Sequence, residues 1–392
     1  MKLTVDAKNF VESISWVTKN YDSKDDKAYV ALVVSEDGES YLSHANQTSY
    51  IKGRLPLVSV DFTGDSENEA GLALEGKFLQ RLASALGTAT GTVELSKSLN
   101  KPKTSLDVKS SHGKFTIPLV DSTIAPAPEM TNLGEVDDNE YFDSIQRLAK
   151  LCDAVNAGYL PVLGTVDLKL DAEEGKLSMM ATDRYALGEI VVDFTPDAAA
   201  SEILEDLSNL LLPHENAQLV SPSKGLSTSI TLVYEEEGKK FGYSFADGRV
   251  ALFSLSNTSP LAYSDLKKAA SSKTKSSMTV STNDLKKAIG IVSSLAWEED
   301  SVWLDISEDG TLVVSDSNQT NTLAVDSENA VTDSALRVKF IRPVINEAFS
   351  PVSTGKMNLK WADASNAFIL EPVLDDGSAV ENVFVLASPS PE

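Results

Sequence analysis

The chain repeats itself. Residues 34–48 read VSEDGESYLSHANQT and residues 306–320 read ISEDGTLVVSDSNQT. Both carry Ser-Glu-Asp-Gly, a short alternating run, then Asn-Gln-Thr at one offset. A weaker copy, LDAEEGKLSMMATDRY, fills residues 170–185. The turn glycines Gly38, Gly175 and Gly310 lie 137 and 135 residues apart. An Asp-Gly or Glu-Gly pair between alternating runs is a hairpin signal, because glycine enters the left-handed turn conformation without steric cost. A fixed period of this kind restricts the fold to serial copies of one supersecondary unit.

The flanks repeat as well. Ahead of each hairpin lies an amphipathic segment: VDAKNFVESISWVT (5–18), VDDNEYFDSIQRLAKL (136–151) and VSTNDLKKAIGIVSSL (280–295). In the third, Leu285, Ala288, Ile289, Val292 and Leu295 share one helical face. Asp6 and Asn283 are candidate N-caps, since a short side-chain oxygen there accepts from a free helix N–H. A second helix follows each hairpin: 75–87, with Phe78, Leu79, Leu82 and Leu86 inward, then 210–220, then 336–349 with Pro343 near its start. Two more strands close each copy, at 92–120, 228–255 and 357–386. Segments 121–134 and 257–277 are rich in Pro, Ser and Ala and read as linkers. The expected architecture is α+β: three tandem units, each of two helices packed on antiparallel sheets, spanning 1–125, 126–260 and 261–392.

Little in the sequence argues for catalysis. The only cysteine, Cys152, shares an apolar helical face with Ile145, Leu148 and Ala149 and reads as a core thiol. His44, His112 and His214 are too scattered for a zinc-ligand set, so no metal site is expected. No phosphate-binding G-x-x-x-x-G-K-[ST] loop occurs; the nearest segment, GLALEGKF (71–78), has Phe78 where a hydroxyl would hold magnesium. No cofactor and no enzymatic activity are expected. Asp6 interrupts the N-terminus where a signal peptide needs an apolar run, and no stretch approaches a membrane span, so a cytoplasmic protein is expected.

The net charge of −24 argues at first against a nucleic-acid partner, because phosphate contacts need Lys and Arg. Its distribution is uneven. The three units carry −2, −14 and −8, whereas the helix windows 7–19, 75–86, 141–155, 213–220, 283–296 and 337–349 together carry +4 and leave −28 for the rest. Lys8, Lys77, Arg81, Arg147, Lys150, Lys286, Lys287 and Arg342 fall on the polar faces of their helices.

Three copies of this layout, with ATDRYAL (181–187) closing the middle hairpin, resemble the bacterial beta-type DNA polymerase sliding clamp, the beta subunit family of DNA polymerase III. That family usually reads A-T-D-G-H-R-L there; Ala181, Thr182, Asp183 and Leu187 agree, while Arg184, Tyr185 and Ala186 depart. LPVLGTVDLKL (160–170) resembles the preceding strand. The resemblance implies a head-to-tail homodimeric ring of six repeats around duplex DNA. Such a processivity factor has no chemistry of its own and tethers the replicative polymerase. It implies DNA-facing roles for the eight helix cations above and also for Lys24, Lys27 and Asn156. Phe115, Phe78, Leu82, Val292 and Leu295 fall at the implied dimer seam. A cleft for short apolar peptides of the polymerase and clamp loader would be lined by Val162, Thr182, Tyr185, Leu187, Pro260, Leu266, Val385, Leu386 and Ala387. Ala186 and the C-terminal ASPSPE depart from the family at that cleft, so a shifted peptide preference is expected. The competing reading is an acidic three-repeat scaffold that never encircles DNA.

Overall fold

The computed structural model describes residues 2–19, 21, 28–35, 39–61, 69–98, 105–153, 156–207, 209–219, 228–295 and 301–390. Gly38, Lys24 and Lys27 lie outside the described residues.

One order of elements recurs three times. It begins with β1 (Lys2–Asp6), α1 (Ala7–Val17), β2 (Val30–Ser35), β3 (Ser40–Ala45), β4 (Ser49–Arg54), β5 (Leu57–Asp61) and β6 (Glu69–Leu74). After these come α2 (Gly76–Leu86), β7 (Thr92–Ser98), β8 (Ser105–Ser110) and β9 (Gly113–Pro118). The second pass runs β10 (Thr131–Asp137), α3 (Asp138–Ala149), β11 (Thr165–Asp171), β12 (Lys176–Thr182), β13 (Ala186–Asp193) and β14 (Thr195–Pro196). It continues with α4 (Ser201–Asp206), β15 (Leu210–Pro213), α5 (His214–Leu219), β16 (Ser229–Glu235), β17 (Lys240–Ser244) and β18 (Val250–Ser254). Then α6 (Tyr263–Lys273) leads to β19 (Ser276–Ser281), α7 (Thr282–Leu295), β20 (Ser301–Ile306), β21 (Leu312–Ser315), β22 (Thr322–Val325) and β23 (Ser327–Val331). The last pass ends with β24 (Leu336–Ile341), α8 (Arg342–Ala348), β25 (Lys356–Trp361), β26 (Phe368–Val373) and β27 (Val383–Ala387).

Strand order repeats with the elements. Four strands take the order β1-β7-β8-β9 in the first pass, β10-β16-β17-β18 in the second and β19-β25-β26-β27 in the third. Four others take β6-β2-β3-β4, β15-β11-β12-β13 and β24-β20-β21-β22. The pairings in these sheets are antiparallel. The end strand β4 pairs with β18, with Tyr50 opposite Leu252. In the same way β13 pairs with β27, with Leu187 opposite Leu386. The corresponding ends β9 and β22 each terminate their sheets.

The chain divides into two compact units: Met1–Glu135 with Asp197–Ala200 and Ser223–Ser254, and Val136–Pro196 with Ser201–Pro222 and Leu255–Glu392. This division follows the continuous sheets rather than the sequence period. The β4–β18 ladder holds β16–β18 in the first unit, and the β13–β27 ladder holds β11–β13 in the second.

The helices α1, α2, α3 and α7 each bury one stripe. On α1 these residues include Phe10, Ile14 and Val17; on α7 they are Leu285, Ala288, Ile289 and Val292. Fully burying such a side chain stabilises by about 1.5–3 kcal/mol. The Asp6 carboxylate caps α1 by accepting from Asn9 N at 3.1 Å, as expected. Asp137 caps α3 in the same way from Glu140 N at 2.9 Å. For α7 the cap is Ser281, which accepts from Asp284 N at 3.2 Å, and not Asn283. The helix begins two residues earlier than a cap at Asn283 would allow, so Asn283 lies inside the first turn.

Two expected helices are shorter than their sequence windows. Residues 210–213 and 336–341 are strands that pair with β11 and β20 before α5 and α8 begin. In LRVKFI the alternation of Val338 and Phe340 into the core sets a period of two, and Pro343 then fixes the first helical turn. Conversely, α6 is a helix inside a segment that composition marks as linker. Gly175 and Gly310 stand at φ +63° and +84°, as their hairpin turns require.

Candidate partner cleft and cation-bearing helices

In the second unit, the β12–β13 connection is a tight, polar-locked turn. Thr182 Oγ1 donates to Ala186 O at 2.6 Å and accepts from Arg184 N at 3.1 Å. Asp183 Oδ1 accepts from Tyr185 N at 2.8 Å and Ala186 N at 2.6 Å. Arg184 sits at φ +84°, in the left-handed region that favours glycine. The clamp family's motif has glycine at that position, and arginine adopts it here because four hydrogen bonds around it fix the turn. The C-terminal strand runs alongside, with Ser388 N donating to Tyr185 O at 2.6 Å.

Against this turn lies α6. Tyr263 is buried with Met180, Leu187, Ile369 and Leu386, and Ala270, Ala367 and Phe384 pack around them. A groove of about 220 Å³ opens above this cluster. Of the residues expected at a peptide cleft, Thr182, Tyr185, Leu187, Leu266 and Leu386 line it. Val162, Val385 and Ala387 are buried outside it, and Pro260 is exposed away from it. Ala186 and Ser388, placed at the cleft as departures from the family, line it too, and Arg184, Ala269, Lys273 and Asn366 line it without having been expected there. For Ala269 and Lys273 the signal would have been the helical character of 263–273. Within the groove, Leu187 and Leu386 form the buried floor at 4% and 6% exposure, while Tyr185 and Leu266 stand up at 40% and 53%. Lys273 Nζ donates to Asn366 Oδ1 at 3.1 Å on the rim.

Behind the floor lies a buried acid. Asp167 on β11 is 1% exposed; its Oδ1 and the Tyr263 hydroxyl have no hydrogen-bond partner among the described residues. Burial pushes the Asp167 carboxyl up to about 6, with Lys169 pulling the other way. An unfolded carboxyl titrates near ~3.9, so the folded chain holds this proton more tightly. Its contribution to stability is therefore full below pH ~4 and is lost as pH rises through about 6. The Asp167→Asn protein is expected to gain up to roughly 3 kcal/mol over the parent at pH 7, with the gap closing by pH 4. Urea melts at the two pH values measure it; equal gaps at both would contradict the assignment.

Helix cations are distributed over both units. In the first, Lys8 on α1 and Arg81 on α2 are exposed, and Lys77 is half-buried. Lys8 lies 3.8 Å from Glu12, and Arg81 stacks over Phe78. In the second, Lys150, Lys287 and Arg342 are exposed. Lys286 lies over the Phe349 ring at 5.6 Å, and burial together with the Lys150 charge lowers its pKa. Lys150 and Lys286 thus come together from different helices. Arg147 is less available: it donates to Pro351 O at 2.9 Å and pairs with Asp143 at 2.9 Å. Asn156 bonds Asp153 through both its backbone N–H and its amide.

At the implied seam, Phe78 on α2 is 38% exposed and Phe115 on β9 is half-buried, whereas Leu82 is core. On α7, Leu295 is exposed and Val292 is core at 1% exposure; the outward apolar residue is its neighbour Ile291. Leu323 on β22 is exposed as well. Phe78, expected inward, points out because Leu79, Leu82, Ala83 and Leu86 already fill the buried stripe of α2. Cys152, expected in the core, is half-buried just beyond α3, its pKa pushed up to about 12 by burial and the nearby Asp183.

Antiparallel sheets carrying paired helices, in three passes, are the pattern of the DNA-clamp class of fold. No protein-family model matches the sequence, and no curated protein does. Solved structures of bacterial sliding clamps match the fold over the whole chain. The Pseudomonas aeruginosa DNA polymerase sliding clamp superposes with a TM-score of 0.80 at 14% identity, covering 100% of both chains. The beta subunit of DNA polymerase III from Thermotoga maritima gives 0.76 at 18%, covering 100% of this chain and 99% of that one. The Helicobacter pylori beta clamp, solved bound to a DNA ligase peptide, gives 0.75 at 16% with full coverage of both. No helix among the described residues is long and apolar enough to cross a membrane.

Proposed function

We propose that this chain is a DNA sliding clamp: a non-enzymatic, cytoplasmic processivity factor that encircles duplex DNA as a homodimer and tethers a polymerase. The observation that carries the reading is the pair of unmatched sheet ends. Within the chain, the end strand of one pass pairs with the end strand of the next, at β4–β18 and β13–β27. Continuing that rule, β22 of one copy pairs with β9 of another, and the same joint closes the other side by symmetry. Two chains then form a head-to-tail ring of six units, with repeats at 1–125, 126–260 and 261–392. Exposed Leu323, Ile291, Leu295 and Phe78 near those two strands and helices support this closure. Covering edge strands also removes an aggregation hazard.

In such a ring the helices line the bore. The link to DNA is topological, so a modest positive lining suffices and tight phosphate binding would hinder sliding. Cationic helices within a chain of net charge −24 fit that design. The groove at Tyr185 and Leu266 takes a short apolar peptide, such as a polymerase or clamp loader would present; a ligase peptide is bound to the Helicobacter clamp. Sedimentation tests the assembly: the dimer should run at twice the 42.1 kDa chain mass, and a monomer at all concentrations would refute it.

The Lys286→Glu, Lys287→Glu double variant should fold normally and lose retention on DNA. Reversing two helix charges changes the local charge by four units, and each phosphate contact is weak and salt-sensitive. Retention equal to the parent at physiological salt would remove α7 from the bore.

A further inference from the structure

We propose that a pocket of the first unit bounded by Trp16, Lys19, Arg54 and Arg249 binds a phosphate group. The pocket has a volume of about 490 Å³ and shares no residue with the peptide groove or with the cations assigned above to the bore.

The turn between β17 and β18 builds one wall. Phe245 N donates to Arg249 O at 2.9 Å and Gly248 N to Phe245 O at 2.9 Å, with Gly248 at φ +87°. Asp247 then fixes Arg249: it accepts from the Arg249 backbone N at 3.1 Å and from Nε at 2.7 Å. The guanidinium lies 5.0 Å from the Trp16 ring and 4.6 Å from the Phe245 ring, and those rings meet edge to face. The guanidinium is thus held by the carboxylate on its Nε edge and by contact with two aromatic rings. Its Nη2 is buried with no hydrogen-bond partner among the described residues. A guanidinium edge prepared in this way is a donor waiting for an oxyanion.

Two further cations line the pocket with it. The Arg54 stem packs over the same turn, its Cδ 3.6 Å from where a Cβ on Gly248 would stand. Arg54 is exposed and forms no ion pair among the described residues. Lys19 Nζ lies 4.6 Å from the centre of the Trp16 ring, and burial together with the Arg249 charge lowers its pKa. The two carboxylates at the pocket are already engaged: Asp247 with Arg249, and Glu12 with Lys8 at 3.8 Å. Like charges brought together in excess of the carboxylates around them favour an anion, and the fork of Arg249 favours one with several oxygens. A phosphate meets both requirements. It comes either from a nucleic-acid strand or from free phosphate.

The test follows the Trp16 indole N–H resonance, since that group donates to Lys52 O at 3.0 Å in the midst of these cations. Inorganic phosphate is titrated into the intact protein at constant ionic strength against chloride, and a short DNA duplex is titrated separately. The parent should shift saturably. Arg54→Gln and Arg249→Gln should each weaken the response about tenfold, as loss of one charged hydrogen bond implies. Lys109→Gln, on β8 beside Glu94, should leave it unchanged. A shift with the duplex that phosphate displaces identifies a strand as the source; a shift with phosphate alone identifies free phosphate. No saturable shift with either probe, or an Arg54→Gln response equal to the parent's, overturns the proposal. Arg54 is exposed, so that variant keeps the test sound even if Arg249→Gln fails to fold. Ring formation and DNA encirclement are unaffected by either result.

Discussion

Replacing Leu266 with aspartate should weaken binding of an apolar partner peptide by more than tenfold while the protein stays folded. Leu266 is 53% exposed on α6 beside the groove, so the charge meets water in the free protein and costs little there. Once a peptide covers the groove, the same carboxylate must be desolvated against apolar surface. Anchors in the centre of a small interface typically carry ~2 kcal/mol or more, and a buried unpaired charge costs further. Tyr185→Ala, at 40% exposure, should act in the same direction more weakly. Leu187→Asp would be a poor probe. Leu187 is 4% exposed within the cluster of Met180, Tyr263, Ile369 and Leu386, so a charge there should unfold the second unit rather than report on binding. Titration of a labelled polymerase C-terminal peptide measures the effect. Parent-like affinity for Leu266→Asp would place the peptide elsewhere.

Charging the free end of the β22 sheet should have the second large effect. Leu323→Asp combined with Ile291→Asp is expected to give a folded monomer. Both side chains are exposed in the single chain, at 36% and 39%, so substitution spares the core. In the proposed joint they face β9 and α2 of the second copy, near Phe115 and Phe78. Two desolvated carboxylates without partners would cost several kcal/mol per joint, and the ring has two joints. Val292, which the family resemblance puts at the seam, would not discriminate, because its 1% exposure makes it part of the α7 core whichever way the chain assembles. Sedimentation equilibrium reads the outcome; a dimer as tight as the parent's would place the seam elsewhere.

Much of this was legible in the sequence for a physical reason. Positive φ in a hairpin turn favours glycine, so Gly175 and Gly310 mark the period in the amino-acid string itself. The stripe of Leu285, Ala288, Ile289 and Val292 identifies α7 because a half-buried helix must repeat every 3.6 residues. Other features depend on tertiary contacts. The helix α6 has Tyr263, Leu266, Ala269 and Ala270 among serines and lysines and buries only Tyr263, so its apolar face is short and small; its docking on the β13–β27–β26 surface orders it. Exposure within the groove was also illegible. Strand β13 is buried on both sides through Ala186, Leu187 and Gly188, so alternation could not separate floor from rim. The unmatched ends β9 and β22 emerge only from strand order, which no local pattern encodes.

The central claim is topological, and one measurement addresses it directly. The protein is loaded onto nicked circular DNA by a clamp loader, isolated at a salt concentration that strips electrostatic binders, and the DNA is then cut once. A sliding ring remains on the circle and departs when the ends appear. Retention on the circle with release on linearisation is the predicted result. Loss from the intact circle at that salt, or equal retention on circle and linear DNA, would contradict encirclement.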